Sequence, residues 1–416
     1  MGLWDLFGIS NKNSGVVLDI GTEFVKALIF KVEDKTARII GCGRAREKLT
    51  DIQGGVVTDI EGVVENCRKA LVKAEKMAKI APTRVVMGIA GELVKGMTTT
   101  VHYDRAHPRK KIEFSELKTI VEKVQGRAYA KAREILSTET GHKEIDIKLV
   151  NAAIVDVQID GYRVVNPIGF QGKDVCVSVF NAFAPIVHLG ALQTVADELG
   201  LELAAITPEP YAVAKAVGLE ESSDFSAIFM DVGGGTTDIA VVCNGSLEGT
   251  KMFAIGGRTF TKRLADTMSI SFKTAEEMKI SYAKGLLDEK TTKMVRDALN
   301  NDCQVWLSGV QLTLEEFEKV DFLPSRILLC GGASQLPDLK KILDEDDWQV
   351  GLPFTKKPKI EFIQLDQISN VEDVTGVLEN PIDITPMALA NVALDYSGKV
   401  TIMDNILNKM TISLRS

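Results

Sequence analysis

Short apolar runs that end in glycine turns alternate along the chain with stretches whose apolar residues recur at helical spacing. Residues 16–20 and 228–232 are apolar runs of strand length, and each leads through a Gly/Thr turn into a second β-rich run. Between them, residues 63–79 have the period of a helix, and residues 84–90 predict a buried strand. This alternation predicts an α/β fold.

The two glycine turns belong to a unit that occurs twice. Asp19 aligns with Asp231, Gly21 with Gly233, and Lys26 with Asp238. A solenoid would need a short repeat period, whereas these units lie far apart. The sequence therefore predicts two similar domains.

The segment from Thr98 to Asn181 lies inside the first half and has no counterpart in the second. Ser115 is expected to cap a helix, and strand-like runs follow around residues 145–157 and 175–183. An Asp-Gly turn signal at residues 160–161 separates the two runs. We therefore expect an inserted, self-contained α+β subdomain.

The second half begins with the second glycine turn and continues with a helical stretch from Arg258 to about Trp306. A third glycine turn at Gly331 and Gly332 follows another apolar run and precedes a predicted helix. The predicted division of the chain is an N-terminal amphipathic tail (1–14), a first domain in two parts (15–97 and 182–218), the inserted subdomain (98–181), a second domain (219–400) with a helical subdomain at about 258–320, and a C-terminal amphipathic tail (401–416).

The residue types at the turns suit phosphate. Glycine lets backbone N–H groups approach phosphate oxygens closely, threonine hydroxyls add donors, and Lys26 supplies a positive charge. Asp19 and Asp231 would be repelled by phosphate unless a cation lay between, so they predict Mg²⁺, held through water. The residues of this predicted phosphate clamp are Asp19, Gly21, Thr22, Lys26, Asp231, Gly233, Gly234, Gly235, Thr236 and Thr237. The chain has no GxxxxGK[ST] motif, so this is not a Walker site.

Composition narrows the range of functions. The net charge of −8 at pH 7 lacks the basic footprint of a nucleic-acid-binding protein. The six cysteines form no CxxC pair, which argues against a zinc site or a disulfide framework and fits a reducing cytoplasm. No apolar run approaches the ~18 residues of a spanning helix. These features favour a cytoplasmic, non-spanning protein.

Taken together, the three glycine turns resemble the superfamily of actin, sugar kinases and heat-shock chaperones. The first two turns resemble its phosphate motifs, and residues 329–334 resemble its adenosine motif, which implies nucleotide contacts by Gly331, Gly332 and Ala333. Residues 207–216 and 381–390 resemble its two interdomain helices. The resemblance implies an actin-like two-domain α/β fold that clamps ATP and Mg²⁺ between its halves.

Within that superfamily the chain resembles FtsA, a family of bacterial cell-division proteins. Residues 166–172, 255–261 and 275–279 are similar to segments of that family. The resemblance implies that Glu276 and Lys279 contact the ribose or base and that Glu209 positions the attacking water. Catalytic roles would then fall to Glu209, Asp19 and Asp231, in what is at most a slow ATPase. Phe170 replaces the usual methionine, and residues 286–320 match poorly.

Three functions fit this resemblance. The first is a scaffold that binds ATP, polymerises at the inner face of the cell membrane, and tethers the division ring through a tubulin-like division protein. The second is a platform for pilus or secretion assembly, similar to PilM, which shares the fold and the position of the inserted subdomain. The third, a sugar kinase, would need sugar-binding polar loops in the first half.

Two terminal segments are candidates for attachment to an anionic membrane surface. Residues 403–415 place Met403, Ile406, Leu407, Met410 and Leu414 on one helical stripe. Residues 2–9 are shorter but contain Trp4 and Phe7, which suit the headgroup boundary. The family resemblance favours the C-terminal segment, with the N-terminal one as a second contact.

Overall fold

The computed structural model describes residues 13–91, 93–141, 145–219, 224–345 and 347–396. The two predicted membrane-attachment segments, 2–9 and 403–415, lie outside this range. The strands are β1 (Ser14–Ile20), β2 (Phe24–Glu33), β3 (Thr36–Arg46), β4 (Ile52–Gln53), β5 (Val56–Val57), β6 (Arg84–Ile89), β7 (Lys95–Asp104), β8 (Ile147–Ile159), β9 (Tyr162–Arg163), β10 (Asp174–Pro185), β11 (Glu202–Pro208), β12 (Ala227–Val232), β13 (Thr237–Cys243), β14 (Ser246–Phe253), β15 (Arg326–Cys330), β16 (Lys359–Phe362) and β17 (Val371–Asp373). The helices are α1 (Ile60–Ala78), α2 (Phe114–Thr140), α3 (Ile186–Glu198), α4 (Glu209–Ala214), α5 (Gly257–Met268), α6 (Phe272–Ala283), α7 (Glu289–Glu315), α8 (Pro337–Glu345) and α9 (Ile384–Ala393).

The first sheet has the strand order β11-β6-β1-β2-β3-β17. Its central strand β1 pairs antiparallel with β2 and parallel with β6. Val16, Val17 and Leu18 of β1 are fully buried. A continuous apolar run is expected where both faces of a strand are covered.

Helix α1 packs closely on β3 of this sheet because the strand carries glycines at the contact. A Cβ at Gly43 would lie 1.9 Å from the carbonyl oxygen of Ala70, and one at Gly41 would lie 2.4 Å from that of Ala74. Asp59 caps the helix, and its side chain accepts a hydrogen bond from the Gly62 amide. The helix predicted at residues 63–79 is thus confirmed, with an earlier start.

The second sheet has the order β16-β15-β12-β13-β14-β7-β10-β8-β9 and runs from the second half into the inserted segment. The connection is the pairing of β14 with β7, in which Gly249 lies opposite Met97 and Thr250 opposite Gly96. The inserted segment has an apolar core of its own, in which α2 packs on β7 and β10. The residues of β7 that pair with β14, Gly96 and Met97, lie just before the predicted segment, so a self-contained subdomain at residues 98–181 stays a prediction.

The C-terminal elements also differ from the prediction. The sequence assigned residues 219–400 to the second domain, but β17 pairs with β3 in the first sheet and α9 packs on β1 and β2. All ten residues of α9 are buried. A helix that is apolar all round must be covered on every side, and α9 achieves this between the first sheet and α4.

Three helix boundaries need smaller corrections. Helix α2 begins at Phe114 after Glu113, so Ser115 lies in its first turn and does not cap it. The helical stretch predicted from Arg258 to about Trp306 consists of α5, α6 and the first part of α7. The first predicted interdomain helix starts only at Glu209, because residues 207–208 complete β11.

Helices α4 and α9 pack against each other at the centre of the molecule. Helix α4 continues into a π-helical turn at Lys215–Leu219. Its residues Ala212 and Ala214 are fully buried, and small side chains allow helices to approach closely. Among the described residues, no helix is both long and apolar enough to cross a bilayer.

Candidate functional site

A cleft of about 390 Å³ opens between the two halves and is lined by both. Its walls come from the β1–β2 turn, the β12–β13 turn, the turn after β15, and helices α4, α5 and α6. Most of the site residues predicted from the sequence meet here: Asp19, Gly21, Thr22, Lys26, Glu209, Asp231, Gly233, Gly234, Thr236, Glu276, Lys279, Gly331, Gly332 and Ala333.

The β1–β2 and β12–β13 turns have the same backbone geometry. In the first turn the Gly21 amide donates to the Phe24 carbonyl at 3.2 Å, and in the second the Gly233 amide donates to the Thr236 carbonyl at 2.9 Å. Each hairpin opens at an aspartate, which lies opposite Lys26 in the first and opposite Asp238 in the second. The repeat seen in the sequence is therefore a repeat of structure.

The two turns touch each other because the second is built from glycines. A Cβ at Gly234 would lie 3.0 Å from Glu23 Cβ, and a Cβ at Gly235 would lie 2.7 Å from Thr22 Oγ1. Gly235 does not line the cleft; its role is to let Thr22 approach. A larger residue at Gly234 or Gly235 would therefore press against the first turn.

Lys26 lies at the floor of the cleft. Its Nζ donates to Asp19 Oδ2 at 3.0 Å and to the Ile382 carbonyl at 2.9 Å, just before α9. Burial lowers the pKa of Lys26, but the carboxylates of Asp19, Asp383 and Asp231 outweigh burial and raise the pKa above its ordinary value. The ammonium therefore stays charged and available to an anion.

The acidic groups opposite Lys26 are less well compensated. Burial, with repulsion from Asp231, raises the pKa of Asp238 to about 7, although the Thr236 hydroxyl donates to it at 2.9 Å. Burial also raises the pKa of Asp231, whose Oδ2 accepts a hydrogen bond from Thr385. Burial and then the charges of Asp19, Asp238 and Asp231 raise the pKa of Glu209. Crowded carboxylates of this kind hold protons or require a cation.

These carboxylates suit a hydrated metal ion better than a directly bound one. Within the described part of the chain, no three His, Cys, Asp or Glu side chains are grouped so as to hold a metal ion. Asp19 is engaged by Lys26, and Asp231 by Thr385. Mg²⁺ commonly keeps several waters and is held by one or two carboxylates, so the donor set fits the water-mediated contacts predicted for Asp19 and Asp231.

The third turn completes the cleft. Gly331 has φ +87°, and a Cβ there would lie 2.1 Å from Asp231 Oδ1, so only glycine fits. The Ser334 hydroxyl donates to the Gly331 carbonyl at 2.7 Å and fixes the turn. A Cβ at Gly332 would meet no atom within 4 Å, so this residue borders open space in the cleft.

Glu276 and Lys279 of α6 form one buried network. Lys279 Nζ lies 2.8 Å from Glu276 Oε2 and donates to the Thr261 hydroxyl at 2.8 Å and to the Gly257 carbonyl at 2.9 Å. The Thr261 hydroxyl in turn donates to Glu276 Oε2. Both side chains border the cleft, and their hydrogen bonds with Gly257 and Thr261 tie α6 to α5.

Thr237 is placed differently from the prediction. Its side chain is fully buried, donates to the Ile255 carbonyl at 2.7 Å, and accepts from Trp306 Nε1 at 2.9 Å. It does not line the cleft. Its hydroxyl secures the second hairpin to the core of the second half.

The sequence analysis left several residues of the cleft lining unassigned, among them Asp238, Glu23 and Arg258. Asp238 lines the cleft, and its alignment with Lys26 was a signal that it occupies the equivalent position. Glu23 and Arg258 also line the cleft and pair with each other at 2.9 Å across it. No local pattern pointed to that pair, because its members are 235 residues apart.

Two like hairpins that face each other across a cleft, a third glycine turn and a pair of packed central helices define the actin-like ATPase fold. A solved PilM–PilN type IV pilus biogenesis complex contains a chain of similar fold, with a TM-score of 0.65, 16% identity, and coverage of 92% of this chain and 98% of that one. The predicted actin-like fold is confirmed.

Comparisons of the sequence find similarity to one group of proteins with this fold. The family model described as cell division protein FtsA matches residues 228–377. FtsA of Neisseria meningitidis serogroup B is 32% identical over 276 residues, which are 65% of this chain and 62% of that protein. FtsA of Pseudomonas aeruginosa is 25% identical over 397 residues (90% and 88%), and FtsA of Bacillus subtilis is 24% identical over 358 residues (81% and 77%). This chain is thus similar in sequence to the cell-division protein FtsA of several bacteria, as its motifs predicted.

Proposed function

We propose that the chain is an actin-like cell-division scaffold that binds Mg-ATP in its cleft and assembles at the inner face of the membrane. The observation that carries the proposal is the convergence of three glycine turns and Lys26 on one cleft, in a chain related to FtsA. The cleft has the chemistry for a nucleotide: backbone and ammonium donors for phosphate at one end, and polar groups of α6 at the other.

The nucleotide's contacts divide among the three turns. The β1–β2 and β12–β13 turns face the phosphates, with Lys26 as the cation nearest to them. Glu276, Lys279 and the turn at Gly331–Ala333 line the part of the cleft left for ribose and base. Asp19 and Asp231 would hold Mg²⁺ through water, and the ion would supply the positive charge that lets phosphate lie beside carboxylates.

Hydrolysis in this site is proposed to be slow. Glu209 is the candidate for orienting the attacking water, and it lies against Gly88, where a Cβ would be 2.6 Å from Glu209 Oε1. Burial and then the neighbouring carboxylates raise the pKa of Glu209, which works against the ionised form that a general base needs. A turnover of ~1–100 per second, as in kinases, would contradict a scaffold role.

Nucleotide binding is tested by calorimetry with ATP and Mg²⁺ on the wild-type chain and on Gly234→Val. The branched side chain must enter the contact between Gly234 and Glu23, so we expect a loss of affinity of at least tenfold. Gly126→Ala in α2 is the matched control, because a Cβ at Gly126 meets no atom within 4 Å. Equal affinity of wild type and Gly234→Val would refute the assigned phosphate turn.

Assembly is proposed to be head to tail, with the inserted segment supplying one contact surface and a tubulin-like division protein as partner. Heterologous contacts propagate into filaments when their rotation does not close. Electron microscopy on a lipid monolayer with ATP tests this, and a chain that binds ATP but forms no filaments there would argue against it.

Membrane attachment is proposed to use residues 403–416, assisted by residues 1–12. Two weak membrane signals together can give the stable attachment that one does not. Co-sedimentation with anionic liposomes should fall when residues 403–416 are removed, and fall further when both segments are removed. Full sedimentation of the double truncation would show that neither end is the anchor.

A second candidate function is a cytoplasmic platform for pilus assembly, favoured by the structural similarity to the PilM chain of a PilM–PilN complex. The sequence similarity to FtsA favours the first candidate. A pull-down against a tubulin-like division protein and, in parallel, a bitopic pilus protein separates the two.

A further inference from the structure

Arg258 reaches from the second half of the molecule into the first. Its Nε donates to Glu23 Oε2 at 2.9 Å, and its Nη2 donates to the carbonyl of Thr22, within the first phosphate turn. The guanidinium also lies against the loop between β3 and β4 and the start of β4, with Nη1 at 3.3 Å from the Ile52 carbonyl. The side chain is only 15% exposed in this position.

The main chain of the same residue holds the second phosphate turn. Arg258 lies in the first turn of α5, and its amide donates to the Gly234 carbonyl at 2.7 Å. The preceding amide, of Gly257, donates to the Gly233 carbonyl at 2.9 Å. One residue therefore binds both phosphate turns, through its side chain and its backbone.

The surface that receives the guanidinium is itself braced. Arg46 Nε donates to Glu23 Oε1 at 2.8 Å, which leaves Oε2 of the same carboxylate to Arg258. Beneath the loop after β3, Asn66 Nδ2 donates to Glu47 Oε2 at 2.7 Å and to Asp51 Oδ2 at 3.1 Å. A braced carboxylate and fixed carbonyls make a built receptor for the planar, multi-donor guanidinium.

We propose that Arg258 is a positioning residue that sets the spacing of the two phosphate turns and must release its first-half contacts before the cleft can open. This inference rests on the proposed nucleotide site and adds a mechanism for retaining the nucleotide. Opening the cleft would expose a charged group together with several hydrogen-bonding partners, which slows release. Removing the side chain should lower that barrier without removing any predicted phosphate ligand.

The test measures release of a fluorescent ATP analogue by stopped flow for wild type, Arg258→Ala, Arg258→Lys and Glu23→Gln. We expect release to be about tenfold faster or more in Arg258→Ala, since charge-assisted hydrogen bonds are lost. Arg258→Lys should also release faster, because an ammonium lacks the planar fork. Glu23→Gln should fall between these and wild type, because the carbonyl contacts remain.

Arg263→Ala is the matched control. Arg263 lies on the same helix α5 and makes a bidentate pair with Asp302 of α7, at 2.8 and 2.9 Å, wholly within the second half. Its removal takes away a comparable ion pair that does not cross the cleft. Release from Arg263→Ala should match wild type, and wild-type release from both Arg258 variants would overturn the inference.

A readout without nucleotide separates this inference from the proposed function. Hydrogen exchange of amides at residues 21–24 and 48–52 should be faster in Arg258→Ala than in wild type or Arg263→Ala, because the two halves part more often. If exchange rises but wild type binds no nucleotide, the proposed function fails while the positioning role stands. If exchange and release are both unchanged, the positioning role is wrong. Circular dichroism melting checks that each variant is folded. If Arg258→Ala does not fold, Glu23→Gln and Arg258→Lys take its place in both measurements.

Discussion

The hairpins β1–β2 and β12–β13 have the same backbone geometry, but the residue that faces the aspartate has opposite charge in the two. In both, an aspartate at the end of the first strand faces the seventh residue after it, across a turn closed by an amide-to-carbonyl bond. In the first hairpin the facing residue is Lys26, which pairs with Asp19 at 3.0 Å. In the second it is Asp238, a like charge beside Asp231.

This difference divides the work of the cleft. In the first hairpin the Asp19 carboxylate pairs with Lys26, whose ammonium is the proposed cation for the phosphates. The second hairpin accumulates acid, and repulsion from Asp231 adds to burial in raising the pKa of Asp238 to about 7. We therefore expect the repeated fold to provide one side suited to an anion and one side that holds a proton or favours a hydrated cation.

The largest effect is expected from Lys26→Ala, which removes the positive charge that distinguishes the first hairpin from the second. The change deletes the cation nearest the phosphates and leaves Asp19 without its ammonium partner, so ATP affinity should fall about 100-fold, ~2.7 kcal/mol. Calorimetry with ATP and Mg²⁺ measures this. Lys31→Ala, farther along the same strand and outside the cleft, should bind as wild type does; equal losses in both variants would show that the effect is not specific to the hairpin.

A second prediction concerns the acidic hairpin and pH. The folded-state pKa of Asp238, about 7, is raised from the ordinary 3.8, so the folded chain binds this proton more tightly than the unfolded chain does. The stability that this proton contributes is complete below about pH 4 and is lost as pH rises to and through about 7. Asp238→Asn should therefore reduce the fall in melting temperature of the nucleotide-free protein between pH 6 and pH 8, by about 2–4 °C.

The control for this prediction is Asp266→Asn on the exposed face of α5, which should keep the wild-type pH profile. If Asp238→Asn has the same profile as wild type, Asp238 is ionised throughout this range and the two hairpins are less different than the structure indicates.

The smallest expected effect on ATP affinity concerns Thr237, next to the turn of the second hairpin. Thr237→Val removes the hydroxyl that accepts from Trp306 Nε1, but this hydroxyl does not face the cleft. ATP affinity should change less than about threefold, within ~0.6 kcal/mol, while the fluorescence of Trp306 shifts as its indole loses a partner. A large loss of affinity would instead support Thr237 as a phosphate ligand. Thr236→Val is the comparison variant on the cleft side, since it removes the hydroxyl that donates to Asp238.

The hairpins, the third turn and the small-residue helices were predictable from the sequence because each depends on a few neighbouring residues. A strand that is buried on both faces appears in the sequence as an apolar run, and a tight turn appears as glycine, whatever their position in the tertiary structure. The repeat of Asp19 and Asp231 then allowed the cleft to be predicted, and the structure brings fourteen of the predicted site residues to it.

Only the tertiary structure decided which distant groups meet. The pairing of β7 with β14, the packing of α9 on the first sheet and the reach of Arg258 to Thr22 all join residues far apart in the chain. The local sequence pattern cannot predict such contacts, because strand pairing, burial and ion pairing depend on which groups the fold places opposite each other. For the same reason the sequence aligned Asp238 with Lys26 but did not show that burial raises the pKa of both Asp231 and Asp238, or that Asp231 adds to the shift of Asp238.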